Sequence, residues 1–452
     1  MRYTRPLATV ALVALGACSG VGNPTPPGGT AVGSIARTVR PTTTSPIQHV
    51  VFIVQENRSF NNFFMGFPGA KTASVGYDQN GNQITLHSQS LATYWDIDHS
   101  SYAFFAACNG TGRLPGMKCR MNGWNAEQAG YGAPKNFAYA YVPQSQIAPY
   151  WSMAQQYVLA DRMFASNLDG SFIAHQYAVA AYASSAVDYP TGPWGCSGQY
   201  NDVVATLTKQ RTLGPTIPAC FNNSTIASEA DAAGVSWRFY AGSINGDGGL
   251  WNAYQADKPI YNGPDWNSNV ISPPSKFLSD IGAGSLANIT WITPTYEDSD
   301  HAGFDAKGGP AWVASVVNAV GESKFWKSTA IFLMWDDPGG WFDPVKPPFK
   351  DYDGLGFRVP LIVISAYSPR GYVTHKQYET ASVLRFMEDN FGLGHLAPSD
   401  TRANDPVGDA LIYTRTPRKF KPITGSKPNA YWIEQDRNSR VHSPPKAMIG
   451  DD

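Results

Sequence analysis

The feature that most constrains the fold is a set of short apolar runs separated by helix-like segments. Runs of this length and character are typical of strands buried in a parallel sheet, and they occupy residues 49–54, 235–241, 289–294, 330–335 and 359–365. Segments with helical patterning lie between or after them, at 172–185, 309–323 and 379–392. Strands that alternate with helices predict an α/β fold with a mostly parallel central sheet.

Composition sets the size of the core and limits the classes of partner. The chain has 452 residues, of which 43% are hydrophobic and 13% aromatic, enough for one large domain or two ordinary ones. Only 15% of the residues are charged and the formal net charge is −1. Since no basic patch or charge run stands out, composition argues against nucleic acid and acidic membrane surfaces as partners.

The N-terminus has the pattern of an export signal. Arg2 and Arg5 precede a short apolar stretch at 7–15, which is too short to span a bilayer stably. The order Leu15-Gly16-Ala17-Cys18 resembles a bacterial lipoprotein processing site, where the cysteine becomes the lipidated first residue. We therefore predict a lipoprotein signal peptide at 1–17 and lipidation of Cys18, with plain secretion and cleavage nearby as the alternative.

A tether and a large folded region are expected to follow the signal. Residues 18–45 are rich in Gly, Pro and Thr without apolar periodicity, as in a flexible linker. We place the catalytic domain at 46–413 and a C-terminal extension at 414–452. The expected location is the bacterial envelope, in the periplasm or at the cell surface, with the lipid anchor in the membrane.

The cysteines other than Cys18 are even in number, which favours disulfides in an exported chain. Their close spacing suggests two pairs, although three connectivities are possible. A metal site is the weaker interpretation, because no CxxC pair or neighbouring histidine accompanies them. The candidate disulfide residues are Cys108, Cys119, Cys196 and Cys220.

Polar residues follow three of the predicted strands: Glu56, Asn57, Glu297, Asp298, Asp300, His301, Asp336 and Asp337. In parallel sheets ligands bind beyond the carboxyl ends of the strands. One interpretation is that these ends simply meet solvent. However, Asp336 and Asp337 are adjacent after a buried run, where like charges repel unless a cation or proton compensates. Carboxylate and amide oxygens suit Ca²⁺, Mg²⁺ or Mn²⁺, and Zn²⁺ also binds such groups.

Ser171 is the candidate nucleophile. It follows Asp169-Gly170 where a helix of small and apolar residues is predicted to begin. A serine there commonly caps the helix. The N–H groups of a helix start also bind phosphate oxygens, so a serine at this place can attack a phosphorus held by them. The G-x-S-x-G motif of α/β-hydrolase esterases is absent from the sequence.

Two of the eight histidines are candidate catalytic residues. His99 follows Asp98, and His301 follows Asp300, so each has a nearby carboxylate that could orient its ring. A lone histidine is more often structural. His175 lies one helical turn after Ser171, and we expect it to pack or hydrogen-bond behind the nucleophile.

Three motifs, in order, resemble a known family. The segment ENRSFNNFF (56–64) resembles the signature E-N-R-S-F-D-x-x-F of the phosphoesterase family that contains phospholipase C-type enzymes and bacterial acid phosphatases. The segments STAIFLMWDDPGGWFDPVKPP (328–348) and LGFRVPLIVIS (355–365) resemble the later blocks of that family, and RFMEDNFGL resembles its close. The resemblance runs from about Ile47 to Leu411.

The resemblance implies an alkaline-phosphatase-like α/β/α sandwich and a metal-dependent phosphoesterase of acid phosphatase or phospholipase C type. It makes Ser171 the nucleophile, which forms a phosphoserine intermediate, and it places His99 and His301 beside the phosphate. The substrate would be a small phosphate ester or a phospholipid. It also implies one divalent metal ion (Ca, Mg, Mn or Zn), held by Glu56, Asn57, Asp336 and Asp337.

The sequence departs from the family pattern at positions near the inferred metal ligands and the nucleophile, while the ligands and the nucleophile themselves are kept. Asn61 stands where Asp is usual, Asp169-Gly170 where Gly-Pro is usual, and Asp343-Pro344-Val345 where many members have Asp-His-Val. The missing histidine slightly favours an acid phosphatase. The alternative function is a non-catalytic envelope lipoprotein that binds phosphorylated ligands on the same fold. Such a protein would be expected to lose its nucleophile or metal ligands, which this sequence retains.

Overall fold

The structure, a computed structural model, describes residues 45–190, 195–198, 202–245, 248–303 and 306–438. The predicted signal peptide, Cys18 and nearly all of the predicted tether lie outside the described residues, and so does the end of the predicted C-terminal extension. The domain boundaries at 46 and 413 stay predictions.

In the described part of the chain, a central sheet of eight strands organises the fold. Its spatial order is β4-β3-β5-β1-β6-β7-β2-β8. In chain order the strands are β1 (His49–Gln55), β2 (Val158–Ala160), β3 (Trp237–Tyr240), β4 (Val270–Ile271), β5 (Ile289–Ile292), β6 (Thr329–Trp335), β7 (Leu361–Ser365) and β8 (Tyr372–Thr374).

The longer helices are α1 (Ser101–Cys108), α2 (Ala148–Gln156), α3 (Ser171–Ala180), α4 (Ile226–Ala233), α5 (Lys276–Gly282), α6 (Gly309–Gly321), α7 (Ala381–Phe391) and α8 (Asn429–Asn438). Shorter helices span Phe60–Phe64, Lys258–Tyr261, Asp265–Ser268 and Pro398–Arg402. The helix predicted at 172–185 is shorter than expected, because Ala181 adopts a left-handed conformation that ends it.

The predicted mostly parallel sheet is confirmed. β1 lies between β5 and β6 and is parallel to both. β7 is antiparallel to β6 and β2, so the strand predicted at 359–365 exists but runs against its neighbours. No helix is assigned in residues 336–360, all of them described, which connect β6 to β7. A direct return of this kind joins antiparallel strands, since a parallel neighbour needs a crossover.

Helices cover the sheet in two groups. α2 and α5 both pack on α6, while α3 and α4 both pack on α7. Every residue of β6 is buried, as expected for a strand with structure on both faces. The mixed α/β architecture therefore matches the predicted layered sandwich.

Short strands form small sheets beside the main one: Val75–Tyr77, Gln83–Thr85, His87–Ser88, Ala140–Tyr141, Met163–Phe164, Ala186–Val187, Val203–Thr206, Ile217–Pro218 and Tyr378–Glu379. The described part of the C-terminal extension packs on the core, where the Phe420 ring lies 5.0 Å from Trp326 and the Trp432 ring 5.2 Å from Trp312. None of the helices in the described residues is both long and apolar enough to cross a bilayer.

The cysteines pair as their spacing suggests. Cys108 is bonded to Cys119, and Cys196 to Cys220. Each disulfide closes a short loop: the bonded cysteines are 11 residues apart in the first and 24 residues apart in the second. The first loop follows α1 and packs in a hydrophobic cluster that includes Trp124 and Phe357.

Candidate active site

The site begins where β1 and β6 end side by side. Gln55 and Trp335 are paired in the parallel register, so Glu56 and Asp336 leave the sheet at the same level. The backbone N–H of Asn57 donates to Asp336 Oδ1 at 2.9 Å. Asn57 has a φ of 57°, a left-handed conformation that Asn adopts more readily than most residues. This turn brings the two strand ends into contact.

Ser171 lies among these side chains at the first residue of α3. Its Oγ atom is 3.2 Å from Asn57 Oδ1 and 3.4 Å from both Glu56 Oε2 and Asp337 Oδ2. Gly170 occupies the cap position and supplies no capping side chain. The capping interpretation of Ser171 is therefore wrong, because the serine lies one residue inside the helix and directs its hydroxyl at the carboxylates.

His175 joins the same group from the next turn of α3. Its Nε2 atom lies 3.2 Å from Glu56 Oε1 and 3.6 Å from Asp336 Oδ2. We expected His175 to pack or hydrogen-bond behind the nucleophile. In the structure it also contacts two of the predicted metal ligands, Glu56 and Asp336. The i, i+4 spacing from Ser171, which puts both residues on one face of the helix, was the available sequence signal.

The donor groups fit a divalent cation. One donor atom each from Glu56, His175 and Asp336 lie within 4.8 Å of one another, and all three residues are buried. Among the described residues, Asp336 Oδ2 has no hydrogen-bond partner. Buried carboxylates that share one site need a cation or protons to offset their mutual repulsion. Oxygen donors with one imidazole nitrogen suit Mn²⁺ or Zn²⁺ as well as harder ions.

Asp337 completes the set of predicted ligands. Its Oδ1 atom accepts the backbone N–H of Gly339 at 2.6 Å, which leaves Oδ2 directed at Ser171. Gly339 has a φ of 59°, and a Cβ atom there would lie 2.2 Å from Asn57 O. Glycine is thus required at 339 for the turn after β6 to approach the turn after β1.

The two candidate histidines face each other, with ring centroids 5.9 Å apart. His99 Nδ1 lies 2.7 Å from Ile97 O, and its Nε2 lies 2.8 Å from Asn57 Nδ2. With Nδ1 donating to the carbonyl, Nε2 accepts from the amide, and Asn57 Oδ1 is turned towards Ser171. His301 Nδ1 contacts Ala302 O, and its ring stacks on Trp251.

Backbone carbonyls bind the Nδ1 atoms of both rings, where carboxylates were expected. Asp300 instead accepts from Tyr150 Oη at 2.7 Å and from Trp335 Nε1 at 2.9 Å. Burial raises the pKa of Asp300 to about 7. Gln55 bonds both the Asp298 carbonyl and the Asp300 N–H. Asp298 and Asp300 therefore hold the loop that follows β5 in place. Their contacts do not make either carboxyl group a candidate metal ligand.

Residues in two segments where the sequence departs from the family motifs form defined contacts in the structure. Asn61 exchanges two hydrogen bonds with the backbone of Ala73. Asp343 is fully buried and forms a two-point ion pair with Arg358, at 2.8 and 3.0 Å. Both residues brace the loops around the site.

A small cavity beside His99 contains polar residues that sequence reasoning missed. Glu127, Asn167 and Asp169 line it together with His99. Burial, and then the charge of Asp188, raise the pKa of Asp169 to about 7. No motif marks Glu127 or Asn167, and Asp169 was noted only as a departure from the family pattern before Ser171; the three come from loops whose meeting depends on the fold.

Comparison with known proteins finds related sequences and related folds. A 447-residue alignment with phospholipase C B of Mycobacterium tuberculosis is 26% identical and covers 85% of this chain and 80% of the relative. Non-specific phospholipase C1 of Arabidopsis thaliana is 24% identical, over 77% of this chain and 67% of the relative. The solved structure of a protein in the alkaline phosphatase superfamily from Vibrio parahaemolyticus aligns with 80% of this chain and covers 71% of its own chain. The sequence identity is 12% and the TM-score is 0.37.

The family model described as the Phosphoesterase family matches residues 47–394. This range contains the three motifs, both strand ends and Ser171, so the resemblance inferred from the motifs is confirmed. The chain belongs to the Phosphoesterase family and is a hydrolase that acts on phosphoric ester bonds.

Proposed function

We propose that the protein hydrolyses phosphate esters in a metal-dependent reaction that passes through a phosphoserine at Ser171. The observation that supports this most strongly is the placement of Ser171 Oγ. The side chain is buried at the start of α3, and carboxylate and amide oxygens from the ends of β1 and β6 surround it at 3.2–3.4 Å. A serine that served only packing would have no need of such neighbours.

The residues that would hold the cation are Glu56, Asn57, Asp336 and Asp337, with His175 beside them. One divalent ion of the class Ca, Mg, Mn or Zn, when bound there, would lower the pKa of the Ser171 hydroxyl and neutralise charge on the phosphate. Among the described residues, Asp336 Oδ2 has no hydrogen-bond partner, which supports this assignment.

The protein groups divide the remaining work. The Ser171 hydroxyl releases its proton to solvent, and its Oγ atom forms a bond to phosphorus while the bond between phosphorus and the ester oxygen breaks. The N–H groups in the first turn of α3 face the phosphoryl oxygens, as at other helix starts. His99 orients the Asn57 amide through its 2.8 Å contact, and His301 is the candidate that protonates the leaving oxygen. Water then attacks phosphorus and regenerates Ser171.

The ester class is either a small phosphate ester or a phospholipid. The relatives named phospholipase C support the phospholipid, while the missing Asp-His-Val and the small cavity beside His99 support a small ester. The assay that separates the two compares p-nitrophenyl phosphate, p-nitrophenylphosphorylcholine and phosphatidylcholine on one metal-replete preparation. The substrate with the highest kcat/KM identifies the class.

The nucleophile is tested with Ser171→Ala and a chemical trap. Turnover should fall by several orders of magnitude, as when other covalent catalysts lose their nucleophile. Wild-type enzyme quenched in acid during turnover of a ³²P-labelled ester should carry label on Ser171. Ser315→Ala, a buried serine of α6 bonded to backbone carbonyls, is the matched control and should keep both label and turnover. Near-normal turnover by Ser171→Ala would show that water attacks phosphorus directly.

A further inference from the structure

The small cavity beside His99 has a largely apolar lining that includes three polar side chains, Glu127, Asn167 and Asp169. Within the described residues, four buried atoms there have no hydrogen-bond partner: Asn167 Nδ2, Asn167 Oδ1, Asp169 Oδ2 and Glu127 Oε2. Asn167 and Asp169 are each only 2% exposed. Buried polar atoms in native proteins are nearly always hydrogen-bonded, so these four atoms are available to a polar group bound in the cavity.

The cavity adjoins the reacting centre. His99 lines it and contacts Asn57 Nδ2 at 2.8 Å, while Asn57 Oδ1 lies 3.2 Å from Ser171 Oγ. Asp169 precedes Ser171 by two residues. A group held in this cavity would therefore belong to the part of the substrate next to the phosphate.

The size of the cavity limits the occupant to one small group. Its volume is about 10 Å³, close to the minimum that holds a single water molecule. A trimethylammonium group or an acyl chain is too large for it. Phe104 and Phe357 are among the apolar residues of its walls.

The chemistry of the lining selects a hydroxyl group. Asn167 offers both a donor and an acceptor, whereas Asp169 Oδ2 and Glu127 Oε2 are acceptors when ionised. An anion cannot donate to Asn167 Oδ1, and an ammonium group cannot accept from Asn167 Nδ2. Among the described residues, the compact three-donor groups suited to a metal do not include Glu127 or Asp169. A hydroxyl group both donates and accepts, so it matches the lining.

We propose that this cavity binds a free hydroxyl group on the alcohol portion of the substrate, so that the enzyme prefers phosphate esters of polyols to those of simple alcohols. The inference rests on the proposed phosphoesterase function and names its substrate class. A site with buried groups that pair with a substrate hydroxyl discriminates against the analogue that lacks it, because those groups are then left unpaired.

The test compares glycerol 3-phosphate with propyl phosphate, which has the same chain and phosphate but no hydroxyl group. Wild-type enzyme should show a kcat/KM at least 10-fold higher for glycerol 3-phosphate. Asn167→Leu, of similar size but without polar atoms, and Glu127→Gln should each lower this ratio at least fivefold. Asn288→Leu, before β5 at the opposite ends of the strands, is the control and should keep the wild-type ratio.

The outcomes distinguish a failure of the proposed hydroxyl site from a failure of the proposed phosphoesterase function. A wild-type ratio within twofold of one, with p-nitrophenyl phosphate still hydrolysed, overturns the hydroxyl site and leaves the proposed function standing. A high ratio retained by both variants shows that recognition lies elsewhere and also overturns the assignment. If wild-type enzyme hydrolyses no phosphate ester, the proposed function fails together with the inference. If Asn167→Leu does not fold, a wild-type ratio near one still overturns the inference, and Glu127→Gln alone tests whether recognition lies in this cavity.

Discussion

His175 Nε2 lies 3.2 Å from Glu56 Oε1, although 119 residues separate them in the sequence. One residue comes from the second turn of α3 and the other from the end of β1. Because Ser171 contacts the other oxygen of the same carboxylate, α3 fixes the orientation of Glu56 from two positions. The nucleophile and the candidate metal ligands are thereby held as one unit.

Replacing His175 with Ala should weaken metal binding. Groups that coordinate a metal or hold its ligands typically contribute 10- to 100-fold to affinity, so we expect a loss of about that size. Metal content after dialysis against graded chelator measures it directly. His175→Gln, which can still donate to Glu56, should recover part of the affinity. Unchanged affinity in the Ala variant would reduce His175 to a packing residue.

Asp336→Asn and Glu56→Ala should each lower bound metal and nearly abolish activity, since each removes a buried carboxylate from the proposed cation site. Elemental analysis and the p-nitrophenyl phosphate assay follow the two effects, and circular dichroism should show that the fold is largely kept. Asp389→Asn, a carboxylate on α7 paired with Arg385, is the control. An enzyme that keeps full activity after exhaustive chelation would exclude the metal-dependent mechanism.

Arg358→Met should destabilise the protein by about 3–5 kcal/mol, the usual result of leaving one partner of a buried ion pair uncompensated. Asp343 would keep its charge in a fully buried position without the guanidinium. Urea denaturation of wild type and variant gives the difference in the free energy of unfolding. The double variant Asp343→Asn with Arg358→Met should regain part of the loss, and a single variant as stable as wild type would contradict the prediction.

Cys18→Ser should release the protein from the membrane fraction if the N-terminal segment is a lipoprotein signal. The reason is that the lipidated cysteine would be the only anchor predicted from the sequence. Fractionation of cells expressing each form, with immunoblotting, is the measurement. A variant that stays in the membrane fraction like wild type would contradict the lipidation hypothesis.

The resemblance of the three motifs to the phosphoesterase family was sufficient to identify the family and to predict most residues of the candidate site. The runs that became β1, β5 and β6 are apolar because both faces of each strand are buried. Parallel strands end at one edge of the sheet, so Glu56 and Asp336 were expected to meet, and the structure brings them together. Their roles as metal ligands stay predictions.

The sequence by itself determined five of the eight strands of the central sheet (β1, β3, β5, β6 and β7), the order of the motifs and the polar residues at the strand ends, because burial and backbone preference shape local patterns. The short strands β2, β4 and β8 were not predicted from the sequence. Only the tertiary structure decided the direction of β7, the contact of His175 with Glu56, and the use of Asp300 to hold Tyr150 and Trp335. It also assembled the cavity around Asn167 from separate loops. Such contacts join residues far apart in the chain, and they depend on how side chains pack once the sheet has formed. Local periodicity carries no information about that packing.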